Sequence, residues 1–181
     1  MRSFIIIFFI SLSVYTAHSV TPTNEKVQKL YLALIMNRPA DFMDTLKTCT
    51  ISDLNTLNKS NETTLFTAVS KKSFEPIRLL LEAGADATLT CGSRSILEVA
   101  RRAGREVVEF LIHHGVSPDI MNGDGETLYF SPVINRNLED IREIHSYGVN
   151  LEIRNSQGQT PLMVALERSG LKAITPKPEV V

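Results

Sequence analysis

Four hydroxyl-bearing residues, Thr63, Ser95, Thr127 and Thr160, stand 32, 32 and 33 positions apart, and each precedes a short apolar run with helical spacing. A second series, Gly84, Gly115 and Gly148, follows at spacings of 31 and 33. Two series in one register restrict the fold more than any composition does. A unit of this length is one supersecondary element with an apolar face that it cannot bury alone, so the copies must stack on one another. The best-preserved copy runs from Asn155 to Leu166. Asn155 and Gly158 tolerate the positive φ of a tight reversal. Thr160 can cap a helix start with its hydroxyl, and Pro161 falls at the first helical position, where its missing N–H costs nothing.

The run Thr160-Pro161-Leu162-Met163-Val164-Ala165 follows the signature T-P-L-H-x-A of a unit of about 33 residues made of a β-turn and two helices, and here the chain resembles the ankyrin repeat family. Thr63-Thr64-Leu65-Phe66-Thr67-Ala68 matches the same signature, and Ser95 to Ala100 matches it more loosely. The helix-ending pattern L-L-L-x-x-G-A-D stands intact from Leu79 to Asp86. The resemblance implies an all-α solenoid of stacked helix pairs with β-turn fingertips. It also implies a concave surface, made of fingertips and first helices, that recognises other proteins.

On that register, residues 20–170 form the repeat domain: a cap at 24–54, full repeats at 55–86, 87–117 and 118–150, and a partial repeat at 151–170 before a tail at 171–181. Thr23 or Asn24 is positioned to cap the first helix, and Asn37 to end it. A terminal repeat has one stacking face, so the cap's outer side is expected to be polar, with Glu25, Lys26, Gln28 and Lys29 available for it. The second repeat reads one residue short between Gly104 and Glu106. The third departs most, because Pro132 replaces the small alanine of its first helix and its second helix is polar apart from Leu138, Ile141 and Ile144.

Residues 1–19 read as an export signal: Arg2 supplies the positive start, Phe4 to Ile10 is unbroken apolar sequence, and Ala17-His18-Ser19 fits a cleavage site. An uncleaved anchor is the rival reading, but residues 4–17 fall short of the ~20 apolar residues a spanning helix needs. The expected location is therefore secreted or periplasmic, with no stable membrane insertion after signal removal. The formal net charge is −1, or −2 once Arg2 is removed, which speaks against nucleic acid as a partner, since phosphate binding needs a concentrated basic face. Cys49 and Cys91, the two cysteines of the chain, lie in different units, too far apart on a stack for the Cα separation of ~4.4–6.8 Å that a disulfide requires.

The expected partner is another protein. The candidate contact residues are Lys59 and Glu62 on the first fingertip, Arg94 on the second, Asp124 and Glu126 on the third, and Gln157 and Gln159 on the fourth. Lys71 and Arg102 stand beside them on first helices, and His114 and Tyr147 at the ends of second helices. Aromatic and Arg side chains dominate interface hot spots, which favours Tyr147, His114, Arg94 and Arg102 as anchors. A narrower expectation is an inhibitor or immunity-type protein that neutralises one periplasmic or extracellular partner.

No cofactor and no catalysis are expected: the sequence lacks a Gly-x-Ser-x-Gly elbow, a phosphate loop, a His-Glu-x-x-His pair and a Cys-x-x-Cys pair. His113 and His114 point about 100° apart on a helix and do not readily share a metal. Asn122 to Glu126 looks like the start of a calcium loop, but Thr127 stands where glycine is required and Val133 where a bidentate Glu is needed, so a tight turn accounts for it better. Asn58-Lys59-Ser60 and Asn61-Glu62-Thr63 are both N-glycosylation sequons, and Asn is also what such a turn favours.

Overall fold

A computed structural model describes residues 25–58 and 60–169. The expected signal segment, the residues proposed to cap the first helix, Lys59 and the tail at 171–181 lie outside the described residues. The elements in order are α1 (Glu25–Ile35), α2 (Pro39–Leu46), a single turn α3 (Ile51–Leu54), α4 (Thr64–Ser70), α5 (Phe74–Glu82), α6 (Ile96–Ala103), α7 (Arg105–His113), α8 (Phe130–Asn135), α9 (Leu138–Ser146) and α10 (Pro161–Arg168). The described residues form no strand beyond one isolated bridge between Cys91 and Arg94.

The helices form two layers. First helices pack on one another, α1 on α4, α4 on α6 and α8 on α10, and each of α4, α6 and α8 packs on the second helix of its own repeat, α5, α7 and α9. This explains why α4 is buried on nearly every side, from Thr64 to Val69: it is sandwiched between two neighbours and backed by α5. Leu30, Leu65, Phe66, Ile77, Leu80, Ile96, Leu97 and Leu111 form a continuous core through the stack. Each fully buried Leu or Ile is worth roughly 1.5–3 kcal/mol over an exposed one.

Capping follows the sequence signature in three repeats. The hydroxyls of Thr63, Ser95 and Thr160 accept hydrogen bonds from the backbone N–H of Phe66, Glu98 and Met163 at 3.3, 3.4 and 3.4 Å. Ser95 and Glu98 complete a reciprocal capping box, and so do Thr50 and Asp53 at α3.

The third repeat corrects the expectation that Thr127 opens a helix. Helix α8 begins three residues after Thr127, at Phe130, and Thr127 Oγ1 is a buried side-chain oxygen without a hydrogen-bond partner among the described residues. Pro132 is the cause. Were Leu128 the first helical residue, Pro132 would be the fifth, where its ring meets the carbonyl of Leu128 and its missing N–H removes a helical bond. Starting at Phe130 moves Pro132 into the opening turn, where no intrahelical donor is required.

The second repeat proves short in two places. Gly104 alone joins α6 to α7, with φ 149°, and a Cβ there would lie 2.6 Å from the Glu106 carboxylate oxygens. The other missing residue is in the fingertip at Cys91–Arg94. The cap also differs from expectation, because Leu32 and Ile35 on α1 and Met36 just after it are exposed together with the polar residues. Helical spacing turns them away from the side that packs on α4.

Candidate functional site

Each fingertip is a small hairpin. Backbone N–H groups of Asn58, Asn122 and Asn155 donate to the carbonyls of Glu62, Glu126 and Gln159 at 2.8, 2.8 and 2.9 Å, enclosing a three-residue loop whose last member, Asn61, Gly125 or Gly158, has positive φ. The side chain of each leading Asn holds the loop from within. Asn58 Oδ1 accepts from the N–H of Ser60 and Glu62, Asn122 Oδ1 from Asp124 and Glu126, and Asn155 Oδ1 from Gln157 and Gln159. Cys91 takes this place in the second repeat, where the loop has two residues and positive φ falls at Gly92, as a type II′ turn requires. Cys91 therefore needs no amide to support a longer loop. Its thiol is buried, which pushes its pKa up and keeps it un-ionised at neutral pH.

Neighbouring fingertips are joined across repeats. Gly123 N–H donates to the Ser93 carbonyl at 2.9 Å, and Ser156 N–H donates to the Asp124 carbonyl at 3.1 Å. Glycine at 125 permits the second contact, since a Cβ there would lie 2.9 Å from the Ser156 nitrogen.

This scaffold brings most of the expected contact residues together. Glu62, Arg94, Glu126 and Gln159 each close a fingertip hairpin and so form a row along the stack. Arg94 pairs with Glu62 at 3.5 Å, and Gln159 Nε2 donates to Glu167 at 2.7 Å. Asp124 and Gln157 are exposed on the loops, and Lys71 and Arg102 are exposed at the C-terminal ends of α4 and α6, where positive charge suits the helix dipole. The side chains of Lys71, Arg102, Asp124 and Gln157 make no hydrogen bond or ion pair among the described residues.

His114 and Tyr147 are not brought to this surface. The His114 ring stacks on Phe110 at 4.1 Å with its Nδ1 2.8 Å from the Phe110 carbonyl oxygen, and the Tyr147 hydroxyl donates to Glu143 at 2.8 Å. Both partners belong to second helices, α7 and α9. Burial and the bond to Glu143 push the Tyr147 phenol well above its usual range.

A cavity of about 330 Å³ that sequence reasoning missed lies between α6 and the turn leading to α8, lined by Glu98, Arg101 and Arg102 on one side and by Glu126, Thr127, Leu128 and Ser131 on the other. Here α6 and α8 approach less closely than the other neighbouring first helices do. Glu98 is fixed in orientation: Oε2 accepts from Ser95 N–H at 2.8 Å and Oε1 from Asn122 Nδ2 at 3.1 Å. Arg101 is committed to Asp140 of α9. Burial, reinforced by the carboxylates of Asp124 and Glu98, raises the Glu126 carboxyl above the ordinary range, with partial relief from Arg168 and Asn155. Among the described residues, no three His, Cys, Asp or Glu side chains gather as a metal site, and no helix is long and apolar enough to cross a membrane.

Three copies of the ankyrin repeat match the family model for ankyrin repeats over residues 29–122, more than half of the chain. The chain belongs to the ankyrin repeat family. It is similar to an ankyrin repeat protein of fowlpox virus, 29% identical over 125 residues that make up 65% of this chain and 37% of the viral protein. It is similar to BRCA1-associated RING domain protein 1 of Caenorhabditis elegans, 36% identical over 73 residues, 39% of this chain and 10% of the nematode protein. A third relative, cyclin-dependent kinase 4 inhibitor B of Mus musculus, is 31% identical over 117 residues, 62% of this chain and 88% of the mouse protein. The chain thus spans well under half the length of the first two. Ankyrin repeats form protein-binding modules, and this ankyrin chain has the helical architecture of one.

Proposed function

We propose that this chain binds one protein partner through the surface made by its fingertips and first helices. The observation that carries this reading is the set of exposed polar side chains without partners on the fingertips and at the C-terminal ends of first helices. Second helices hold several of their charges in pairs, as in Arg78 with Glu75 and Glu82 and Arg105 with Glu109 and Glu143, although Glu139 and Arg142 of α9 make no such pair among the described residues. Lys71, Arg102, Asp124 and Gln157 stand without such partners on the first-helix side. The change from basic Lys71 and Arg102 to acidic Asp124 along the stack would orient a partner and speed its approach more than it would set affinity.

Export belongs to the same proposal, supported by Arg2, the apolar run from Phe4 to Ile10 and the small residues Ala17 and Ser19. A mature protein lacking residues 1–19 by mass would agree with it; an intact N-terminus in the native source would remove it. A narrower version, inhibition of one partner outside the cytoplasm, is favoured by the name of the mouse relative, which marks that protein as an inhibitor of a kinase.

The test begins with capture of partners by the purified chain from its native compartment and their identification by mass spectrometry. Surface plasmon resonance then compares the parent with three variants. Arg94→Glu combined with Arg102→Glu should slow association and weaken its salt dependence. Glu25→Lys on the cap and Tyr147→Phe in the second-helix layer should leave both rates unchanged. Loss of binding in either control with an unaffected Arg variant would transfer the site away from the first-helix surface.

A further inference from the structure

We propose that the cavity between α6 and the turn leading to α8 is a socket for one arginine side chain of the protein partner, an assignment that rests on the first-helix surface being the binding face. The cavity lies where α8 starts two residues later than a helix capped by Thr127 would, a delay that Pro132 accounts for. Its walls are chemically uneven. Glu98 and Glu126 present carboxylates from opposite sides, and among the described residues neither makes an ion pair. Of the lining cations, Arg101 is spent on Asp140, whereas Arg102 is exposed at the rim, where solvent and salt screen it.

Two further observations point to a donor-rich cationic guest. Thr127 lines the cavity with only 3% of its surface exposed, and its Oγ1, enclosed behind the cavity wall, has no hydrogen-bond partner among the described residues. A buried polar atom in that state is costly, and a donor that reached it through a small shift of the wall would relieve the cost. The raised pKa of Glu126 has the same sense: burial, Asp124 and Glu98 disfavour its charged form, Arg168 and Asn155 oppose them, and a cationic guest would favour it further. A guanidinium fits this demand better than an ammonium. It is planar and carries five N–H donors in a fixed fork, enough to serve two carboxylates and a hydroxyl together. A desolvated Arg in a central pocket is also a frequent interface hot spot.

The experiment uses the full chain and two probes. First, N-acetyl-arginine amide, N-acetyl-lysine amide and N-acetyl-glutamic acid amide are titrated separately while amide and carboxyl resonances are followed by NMR. The arginine probe should shift Glu126, Thr127 and Ser131 saturably and lower the Glu126 pKa, with the lysine probe at least threefold weaker and the glutamate probe inactive there. Glu126→Gln and the isosteric Thr127→Val should each weaken the arginine probe, the former at least tenfold. Equal response to lysine or glutamate, or an unchanged affinity in Glu126→Gln, overturns the socket. Second, peptides are selected against the chain from a random display library. Selected peptides that carry Arg and lose affinity in Glu126→Gln support the socket. Peptides displaced by Arg102→Glu but indifferent to Glu126→Gln retain the binding face and reject the socket. Peptides that bind only the second-helix layer reject both.

Discussion

Pro132 occupies the third position of α8, and in that place it separates the hydroxyl of Thr127 from the helix it would otherwise cap. Replacing it with the alanine that stands at the same point in other repeats, as at Ala68, Ala100 and Ala165, should let the helix grow back to Leu128. A restored cap is worth about 0.5–2 kcal/mol, offset by roughly 0.4–1 kcal/mol from the greater freedom of the unfolded chain. The clearer readout of Pro132→Ala is hydrogen exchange: the amide at 131 should gain protection over the parent, and the new amide at 132 should itself be protected. No gain there would mean that something other than proline holds the helix back.

The same distortion should make the third repeat the first to open. Amides over 127–146 should exchange faster than those over 64–82, where α4 is enclosed by neighbours. The reverse order, measured under conditions where opening is reversible, counts against the link between capping and stacking.

Leu80 has no exposed surface, so Leu80→Ala should cost about 2–5 kcal/mol in chemical unfolding. Leu138 on α9 is 65% exposed, and its replacement by Ala should change stability by less than about 0.5 kcal/mol. A comparable loss at both would show that burial is not what distinguishes them.

Glu126 provides a pH-dependent case. Its carboxyl pKa is raised in the fold by burial and by Asp124 and Glu98, with Arg101 and Arg102 also lining the cavity and Arg168 and Asn155 opposing the rise. A raised acid pKa means that the folded state holds the proton more tightly than the unfolded chain does, so this group's contribution improves as pH falls through the folded value and its ionised form is a burden above it. Glu126→Gln should therefore raise the melting temperature slightly at pH 7, and the difference should shrink toward pH 4. A melting temperature lower than the parent's at pH 7 would assign the carboxylate a stabilising contact.

Asn155 supports its hairpin with two accepted hydrogen bonds, and Asn155→Ala should cost about 1–2 kcal/mol. Cys91→Asn should not gain a matching amount, because the shorter hairpin at Cys91 lacks the loop that Asn supports elsewhere, and the site is nearly closed to solvent. Thermal melts of the two variants separate these expectations, and a stabilised Cys91→Asn contradicts the account of the short turn.

The period was legible because Thr63, Ser95 and Thr160 perform the same local task, and a local task leaves a fixed spacing. Pro132 was legible as a disturbance, yet its outcome depended on where a helix can begin, which spacing from Thr127 does not decide. The second missing residue of the second repeat also left a trace, since four positions separate Cys91 from Ser95 and five separate Asn122 from Thr127. The cavity left no such trace. Glu98 and Glu126 are far apart in the chain and are brought to one cavity by the stacking of the third fingertip on the second repeat, where Asn122 donates to Glu98. His114 and Tyr147 read as anchors by residue type, but their engagement with Phe110 and Glu143 is a matter of rotamer and burial.

The bonds from Gly123 to Ser93 and from Ser156 to Asp124 fasten the second, third and fourth fingertips by their backbones. The equivalent bond from Gly92 to Ser60 is missing among the described residues, and the ion pair between Arg94 and Glu62 spans that gap instead. The strip of fingertips is thus elastic at one end and inextensible at the other. In concentrated salt the first fingertip should therefore loosen from the second before the other fingertips part, while the helices behind those two remain closely packed.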